Sequence, residues 1–384
     1  MSEWKEYVLE DVIDKFIDYR GKTPKKTDSG VPLVTAKIVK SGRILEPNEF
    51  IARKDYDNWM TRGLPEIDDI VLTTEAPLGE IALIKDKNIA LAQRVITLRA
   101  KKNMAYNPFI KYYFQSAQGQ YELESRASGT TVFGIKAAVL KKVPILLPPL
   151  PKQKAIAAVL SSLDDKIDLL HHQNKTLEAM AETLFRQWFV EEVQAGWAER
   201  PLSGIADFLN GLACQKYTPK NEIDKLPVLK IKELKNGFSE DSDWATTDVN
   251  PEYFVESGDV IFSWSASLLV KIWDGKKCIL NQHLFKVTST LFPKWFYYQW
   301  CKYHLEEFIS IASSHATTMG HIKRGDLDTA MVLVPSITEL EKMNTIMQPI
   351  TDKTMENNNQ IHTLEKLRDT LLPKLMSGEV RIAV

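Results

Sequence analysis

The sequence predicts an α+β fold with two mostly-β globular domains joined by two long antiparallel coiled-coil helices, related by a pseudo-twofold internal repeat. One observation behind this prediction is a strand-like stretch, "VPILLP" (143–148), that is followed by a long helix with a heptad pattern. A similar stretch, "AMVLVP" (330–335), precedes a second helix of the same kind. The other is that the segments between the helices are short alternating strands separated by Gly, Pro and Asn.

The repeat extends through both globular segments. Several apolar stretches recur in the same order: "VPLVTAK" (31–37) and "LPVLKIK" (226–232), "DDIVLTT" (68–74) and "GDVIFSW" (258–264), "IALAQRV" (89–95) and "CILNQHL" (278–284). Chance similarity between hydrophobic strands is the alternative, but the conserved order favours a true repeat. We therefore predict a first module at 1–150, a spacer helix at 151–192, a second module at 193–337 and a second spacer helix at 338–384.

The first helix carries apolar residues at a 3-4 spacing with one polar break, which is typical of a coiled coil. Its predicted seam is Ile156, Leu160, Leu163, Ile167, Leu170, Asn174, Leu177, Ala181, Leu184 and Trp188. The second helix repeats the register with Met343, Met347, Ile350, Thr354, Asn357, Ile361, Leu364, Arg368, Leu371 and Leu375. Its polar interruptions make it a poor homodimer zipper and a better partner for the first helix.

The helix ends are predicted from Pro and Gly. The first helix begins after "LPPLP" (147–151) and fades near Gly196, and Pro373 and Gly378 mark the end of the second. At about 1.5 Å per residue the first helix forms a rod of roughly 50 Å. Because a DNA turn is about 34–36 Å, paired helices of this length could act as a ruler.

Within each module the pattern predicts strands followed by a helix. The strands of the first module are expected at 31–37, 69–74, 80–85, 94–100 and 142–148, with a helix at 107–125. Those of the second are expected at 227–232, 259–264, 268–273 and 284–289, with a helix at 293–313.

Composition indicates a packed globular protein without its own catalytic chemistry. Its 384 residues contain 44% hydrophobic residues, and its three cysteines lack metal-type spacing. No apolar run is long enough to span a membrane, and the first residues do not resemble a signal peptide, so we expect a cytoplasmic protein. No P-loop is present, and no histidine cluster has a zinc-type partner, so we predict no catalytic residue, metal or cofactor.

Loop chemistry favours nucleic acid, although the net charge of −1 requires that any affinity come from local patches or partners. Basic and amide side chains in loops suit phosphate contacts and base reading, with solvated loops and packing roles as the alternatives. In the first module the candidates are Arg20, Lys22, Thr23, Lys25, Lys26, Gln93, Arg94, Arg126, Thr130, Thr131 and Lys136. In the second they are Lys216, Tyr217, Thr218, Gln282, His283, His315, Thr317, Thr318, His321 and Lys323. Gln93-Arg94 and Gln282-His283 are expected to interrupt apolar strands at equivalent places.

The chain resembles the specificity subunits of Type I restriction-modification systems. The resemblance rests on "LPPLPKQKAIAAVLSSLDDKIDLLHHQNKTLEAMAETLFRQWF" (147–189), on "LLPKLMSGEVRI" (371–382), and on "GKTP" (21–24) and "SGTT" (128–131). It spans the whole chain, although "VPSITEL" (334–340) departs from the pattern of "LPPLPKQ".

This resemblance implies a non-catalytic subunit that recognises a bipartite, asymmetric double-stranded DNA sequence through two target recognition domains. It also implies that two methyltransferase subunits dock on the helices, that restriction subunits join them, and that S-adenosylmethionine, ATP and magnesium belong to those partners. The alternative from the residues alone is a non-catalytic protein-interaction scaffold with two similar binding modules.

Overall fold

The computed structural model describes residues 3–129, 133–314 and 320–382. The chain forms two compact units, one made of Met1–Asp168 with Thr363–Val384 and the other of Leu169–His362. Each unit contains one globular module and a part of each long helix. The compact units therefore divide both helices, whereas the predicted domain limits treat each helix as a segment of its own.

The first unit is built on short strands with two consecutive helices. Its strands are β1 Lys5–Val8, β2 Ile13–Asp18, β3 Lys26–Thr27, β4 Val31–Val34, β5 Val39–Lys40, β6 Arg43–Ile44, β7 Phe50–Ile51, β8 Ile70–Thr74, β9 Leu78–Leu83, β10 Ala90–Leu91, β11 Val95–Ala100 and β12 Pro144–Leu147. Its α-helices, apart from the long ones, are Leu9–Val12, Tyr56–Trp59, Asn107–Gln115, Ala117–Glu124 and Ala137–Leu140, with 3-10 turns at Ala36–Ile38 and Arg53–Asp55.

A central antiparallel sheet of order β2-β11-β8-β9 organises the first module. A second sheet has the order β10-β4-β7-β3 and contains a parallel pair, with Ala90 opposite Leu33. Strand β8 is buried along its whole length, as expected for a strand covered on both faces. The strand β1 pairs with β12 and so joins the start of the module to the strand that precedes the first long helix.

The second unit has a closely similar set of elements. Its strands are β13 Ala198–Pro201, β14 Asp207–Asn210, β15 Lys225–Leu229, β16 Trp244–Thr246, β17 Phe254–Val255, β18 Val260–Ser263, β19 Leu269–Ile272, β20 Cys278–Leu280, β21 Leu284–Thr288 and β22 Met331–Val334. Its shorter α-helices are Ile231–Asn236, Lys294–Tyr303, Leu305–Ser314 and Arg324–Thr329, with 3-10 turns at Leu202–Gly204, Cys214–Lys216 and Pro251–Tyr253.

The two modules share the topology of their central sheet, whereas their second sheets, β10-β4-β7-β3 and β16-β15-β20-β17, differ in strand order around a common parallel pair. The central sheet of the second module is β14-β21-β18-β19, which matches β2-β11-β8-β9 strand for strand. The parallel pair recurs as β15 with β20, where Val228 lies opposite Ile279, and β13 pairs with β22 as β1 pairs with β12. The predicted α+β class and internal repeat are therefore confirmed.

Some element boundaries differ from the prediction. The strand predicted at 31–37 ends at Val34 and is followed by a 3-10 turn at Ala36–Ile38. The strand predicted at 227–232 ends at Leu229, and the helix Ile231–Asn236 begins shortly after it. That helix buries Leu234 fully, and Gly237 ends it at a φ of +77°. The helices predicted at 107–125 and 293–313 are each broken into two, at Ser116 and His304.

Both long helices form as expected, and their ends lie close to the predicted ones except at Pro373. The first spans Leu150–Arg186 and closes in a π-helical turn at Gln187–Glu191. The second spans Ile337–Ser377, so Pro373 does not end it. Burial of Leu375 against the core of the first module offsets the backbone hydrogen bond that Pro373 cannot make. Gly378, with a φ of +73°, terminates the helix.

The helix segments are antiparallel within each unit. In the first unit Asp164 of the first long helix contacts Arg368 of the second, and in the second unit Asn174 contacts Asn357 and Asn358. The structure places every predicted seam position in a buried or half-buried environment. The most buried are Ile156, Leu160, Ile167, Leu170, Ala181, Met347, Asn357, Ile361 and Leu375, whereas Leu163, Asn174, Leu177, Leu184, Ile350, Leu364 and Leu371 are half-buried.

Residues of the long helices complete the core of each module. Leu160 and Leu375, from different helices, are buried in the same cluster as Phe109 and Phe114 of the first module. In the second unit Phe185 and Met347 are buried with Trp300. Fully burying such a side chain contributes about 1.5–3 kcal/mol, so each module depends on both helices for its stability.

A buried charge network ties the first module to both helices. Lys111, on the module helix Asn107–Gln115, donates to Asp164 at 2.5 Å, and the Tyr112 hydroxyl donates to the same oxygen at 2.7 Å. Arg368 donates to the other carboxylate oxygen at 3.2 Å. Burial alone would raise the pKa of Asp164, but Lys111, Tyr112 and Arg368 together hold that pKa below its ordinary value.

A polar layer lies in the seam within the second unit. The side chain of Asn357 is completely buried and donates to Asn174 Oδ1 at 2.9 Å, while Asn174 donates to Asn358 Oδ1 at 2.6 Å. Within the described part of the chain the Oδ1 atom of Asn357 has no hydrogen-bond partner. A buried polar pair of this kind lowers stability but penalises any shift of one helix along the other.

Replacing the central carboxylate should destabilise the protein strongly at neutral pH. Asp164→Asn leaves the charge of Lys111 buried without a counterion, which should cost about 3 kcal/mol in urea unfolding at pH 7. Because the folded pKa of Asp164 is depressed, its contribution is present above about pH 4 and is lost as pH falls further. The gap between wild type and variant should therefore narrow near pH 3; a constant gap would contradict the assignment. Asp165→Asn, at an exposed neighbouring carboxylate, is the matched control and should change stability little.

Apolar replacement of the polar layer should show strong coupling. Asn357→Leu alone removes the donor to Asn174 and should cost about 1–3 kcal/mol. The double variant Asn174→Leu/Asn357→Leu should recover that loss, because two apolar side chains then face each other. Urea unfolding of the full mutant cycle measures the coupling energy. Additive effects of the two single substitutions would mean that these amides do not form a working pair.

Candidate nucleic-acid interface

Three segments of the first module meet at one end of its central sheet. Strand β8 ends at Thr74, whose carbonyl accepts from the Ile135 amide at 2.9 Å and whose amide donates to the Arg94 carbonyl at 3.0 Å. The next residue, Glu75, forms an isolated bridge with Gly134. The strand end, the turn at 93–94 and the loop leading to Lys136 are thus held together by backbone hydrogen bonds.

Several of the predicted contact residues converge at this sheet end. The Thr23 hydroxyl donates to Gln93 Oε1 at 2.9 Å, and the Arg94 Nε lies 3.1 Å from Glu75 Oε1. Arg20 donates to the Ile135 carbonyl at 3.1 Å, and exposed Lys136 follows Ile135 directly. Residues far apart in sequence therefore form one polar surface.

The basic loop at 20–26 is divided between structural and accessible residues. Arg20 binds the Asp18 carboxylate through Nε and Nη2, and Lys26 pairs with Glu49 at 2.7 Å. Lys22 and Lys25 are exposed and have no ion pair among the described residues. Arg126 is held by Glu122 one helical turn earlier, at 2.5 Å. Lys22 and Lys25 are therefore better placed for phosphate contact than Arg20.

The second module repeats the same backbone frame. Ile322 donates to the Trp264 carbonyl at 3.0 Å, and the Trp264 amide lies 3.4 Å from the His283 carbonyl. Ser265 forms an isolated bridge with His321, as Glu75 does with Gly134. The following alanines, Ala76 and Ala266, both have a left-handed φ, of 47° and 57°.

The side chains on this second frame differ from those on the first. Ser265 Oγ lies 3.1 Å from His283 Nδ1, and Trp264 Nε1 donates to Asn210 at 3.1 Å. The Trp264 ring lies beside the rings of both His283 and His321. Exposed Lys323 follows Ile322, as Lys136 follows Ile135.

The remaining predicted residues of the second module lie near its parallel strand pair. Lys216 and Thr218 are exposed, whereas Tyr217 is half-buried against a small cluster that includes Cys214. The Gln282 amide donates to the Leu212 carbonyl at 2.8 Å, which connects this segment to the turn at 282–283. Five predicted residues lie outside the described residues: Thr130, Thr131, His315, Thr317 and Thr318.

One local prediction was wrong in its structural detail. Gln93-Arg94 and Gln282-His283 do not interrupt strands; each pair forms a turn between the last strand of one sheet and a strand of the next. Polar side chains occur there because a turn between two sheets exposes its residues at the sheet end. Glu75, Arg62, Trp264 and Ser265 were not predicted, although Thr74 and Trp264 close the repeated stretches 68–74 and 258–264. Arg62 donates to the Asp18 and Arg20 carbonyls, and the sequence holds no pattern that indicates it.

A metal-binding cluster or a reactive cysteine would be a second kind of site among the described residues. Among them, no group of three or more His, Cys, Asp or Glu side chains is arranged to hold a metal ion. All three cysteines are buried, and burial raises the pKa of the Cys214 thiol to about 11, which disfavours the reactive thiolate. In the described ranges no helix is long and apolar enough to cross a membrane.

Comparison with known families shows what kind of protein carries these paired surfaces. The family profile described as "Type I restriction modification DNA specificity domain" matches twice, at residues 1–179 and 194–366. The chain belongs to this family. Membership confirms the predicted role as a non-catalytic DNA-specificity subunit, and the double match agrees with the repeat of the fold.

Named relatives and a solved structure agree with this assignment. The chain is 29% identical to the Type I restriction enzyme MjaIX specificity subunit of Methanocaldococcus jannaschii, over 82% of this chain and 78% of that protein. It is 23% identical to the MjaVIII specificity subunit of the same organism, over 83% and 80%. The crystal structure of the Type-I restriction-modification system S subunit from M. genitalium has a TM-score of 0.60, at 17% identity, and covers 97% of this chain and 96% of that one. The last similarity shows a shared fold.

Proposed function

We propose that the two modules of this specificity subunit each recognise one half of a bipartite, asymmetric double-stranded DNA sequence, through the surfaces at the ends of their central sheets. The observation that carries this proposal is a repeated backbone frame with different side chains. The Thr74–Ile135 and Trp264–Ile322 hydrogen bonds are equivalent, whereas the pairs Glu75–Arg94 and Ser265–His283 differ in chemistry. Two similar frames that present different donors and acceptors suit two unlike half-sites.

The charge distribution supports contact through local groups. The chain has 49 basic and 50 acidic residues, so it has no overall field that would attract DNA. Exposed Lys22, Lys25 and Lys136 in the first module and Lys216 and Lys323 in the second supply phosphate-binding groups near the proposed surfaces. Partner subunits would supply the remaining phosphate contacts, since affinity for DNA grows with the number of phosphates neutralised.

We further propose that the long helices dock two methyltransferase subunits and that restriction subunits join this complex in the cytoplasm. Large apolar side chains on these helices remain exposed in each unit, among them Leu169, Met180, Ile346 and Leu367. Single exposed apolar residues are common on any protein, so the docking proposal rests mainly on membership of the family. S-adenosylmethionine, ATP and magnesium would then be bound by the partners and not by this chain.

Co-expression with the methyltransferase subunit from the same source, followed by genome-wide mapping of methylated adenine, tests the proposal. We expect a split motif: two short specific sequences separated by a fixed number of unspecified base pairs. A stable complex that adds no methylation and binds no duplex preferentially would favour the protein-interaction scaffold instead.

A module exchange then tests whether each half-site has its own reader. Replacing residues 1–150 with the corresponding module of another family member should change one half of the methylated motif and leave the other half unaltered. A change in both halves would contradict independent recognition by the two modules.

A further inference from the structure

The side chain of Arg94 is held in an unusual way for a surface arginine. The shortest contact of its guanidinium with Glu75 joins Nε to Glu75 Oε1, at 3.1 Å. Among the described residues nothing accepts a hydrogen bond from its two terminal nitrogens, and half of the side chain is exposed (51%). The contact with Glu75 therefore lies on the Nε side of the guanidinium and leaves its two terminal nitrogens without a hydrogen-bond acceptor among the described residues.

The other predicted arginines of the first module do not present such a pair. Arg20 has Nε and Nη2 on Asp18 and Nη1 on the Ile135 carbonyl. The Nη1 of Arg126 binds the carbonyl and the carboxylate of Glu122. Arg20 and Arg126 are thus engaged in local structure, and Arg94 is the one of the three with both terminal nitrogens available.

Two parallel N–H donors match one base edge in the major groove. Guanine presents O6 and N7 as adjacent acceptors, and a bidentate arginine is the commonest specific contact to it. Adenine offers a donor beside its acceptor and cannot satisfy both terminal nitrogens. A lysine carries a similar charge but lacks the planar fork.

Glu75 is itself fixed by the backbone frame. Ala76 follows it in a left-handed conformation, with φ of 47°, and Gly134 packs against it from the opposite loop. A Cβ at position 134 would lie 3.0 Å from the Thr74 carbonyl oxygen and 3.1 Å from Glu75 Cβ. Because Gly134 has no side chain, it leaves room for the side chain of Glu75.

At the equivalent bridge of the second module, the larger and the smaller side chain have exchanged places. Ser265 replaces Glu75, and His321 replaces Gly134 across the equivalent bridge. The distance between Ser265 Oγ and His283 Nδ1 is 3.1 Å, as between Glu75 and Arg94. In both modules, a residue just beyond the strand end contacts the ring or guanidinium nitrogen of a turn residue, so the arrangement is conserved while its chemistry changes.

Stability does not account for the Glu75–Arg94 pair. Both side chains are well exposed, at 42% and 51%, and an ion pair exposed to water contributes little to folding. Its geometry instead resembles the support that orients a binding group.

We propose that Arg94 reads a guanine in the half-site of the first module and that Glu75 is the positioning residue that orients it. This inference rests on the proposed DNA-recognition function and adds the base and the residues that read it. The methylated motif should accordingly contain a guanine, on one strand or the other, in one of its halves.

Duplex binding by the complete complex of this chain with its methyltransferase subunit tests the contact directly. Each guanine of the relevant half-site is replaced in turn by 7-deazaguanine, which lacks the N7 acceptor but still pairs with cytosine. For the wild-type complex one replacement should lower affinity roughly tenfold or more. For Arg94→Ala and Arg94→Lys, the same replacement should have almost no further effect, because the contact is already lost.

The Glu75 variants separate orientation from charge. Glu75→Ala should reduce the discrimination between guanine and 7-deazaguanine, while Glu75→Gln, which keeps an oxygen acceptor for Nε, should retain part of it. Two controls are available: Lys136→Ala should weaken binding to all duplexes equally, and Ser265→Ala should affect only the other half-site. Thermal unfolding of each variant should match that of the wild type, because these side chains are exposed.

The outcomes distinguish this inference from the function on which it rests. A half-site without any guanine, or Arg94 variants that retain the full penalty at the same position, would overturn the proposal that Arg94 reads guanine. A uniform loss of affinity on every duplex would make Arg94 a phosphate contact and overturn it as well. A wild-type complex that prefers no DNA sequence would instead contradict the proposed function itself.

Discussion

The apolar seam of the two long helices is the constraint on which both modules depend. Leu160 and Leu375 lie in the core of the first module, and Phe185 and Met347 lie in that of the second. Neither module buries its apolar residues fully without both helices. Folding of each module is thereby coupled to correct helix pairing, and the amide layer of Asn174, Asn357 and Asn358 favours a single register for that pairing.

The backbone at each sheet end maintains the fold, whereas its exposed side chains are the groups proposed to recognise DNA. The frame at each sheet end is built from backbone hydrogen bonds, such as those between Ile135 and Thr74 and between Ile322 and Trp264. Backbone hydrogen bonds do not depend on side-chain identity. On the equivalent frame of the second module, Ser265 therefore takes the position of Glu75 and His283 takes that of Arg94. Under the proposed function, exchanging these exposed side chains would change the recognised DNA sequence at little cost in stability.

The sequence was most informative where periodicity determines structure. Heptad spacing identified the seam positions, and all of them are buried or half-buried. Sequence was less informative where tertiary contacts override local preference: Pro373 lies inside a helix because Leu375 and Met376 pack on the first module.

The candidate site was only partly accessible from sequence. Polar residues within an apolar stretch predicted Gln93 and Arg94, and loop composition predicted Lys136; the structure brings them to one sheet end together with Arg20 and Thr23. Composition could not distinguish Arg20, which is engaged by Asp18, from Arg94, whose terminal nitrogens are available. Glu75 was missed because its importance arises from the fold, which places the end of β8 beside a turn that lies some twenty residues later in the chain.

We propose that the paired helices, held in register by their seam, determine the number of base pairs between the two half-sites. Inserting one heptad into each helix, after Leu170 and after Ile361, would preserve the seam and add about 10 Å to both. Mapping of methylated adenine with this variant should show the same two half-sites separated by about three additional base pairs, at about 3.4 Å per pair. An unchanged spacing, with a complex that remains folded and active, would contradict the account.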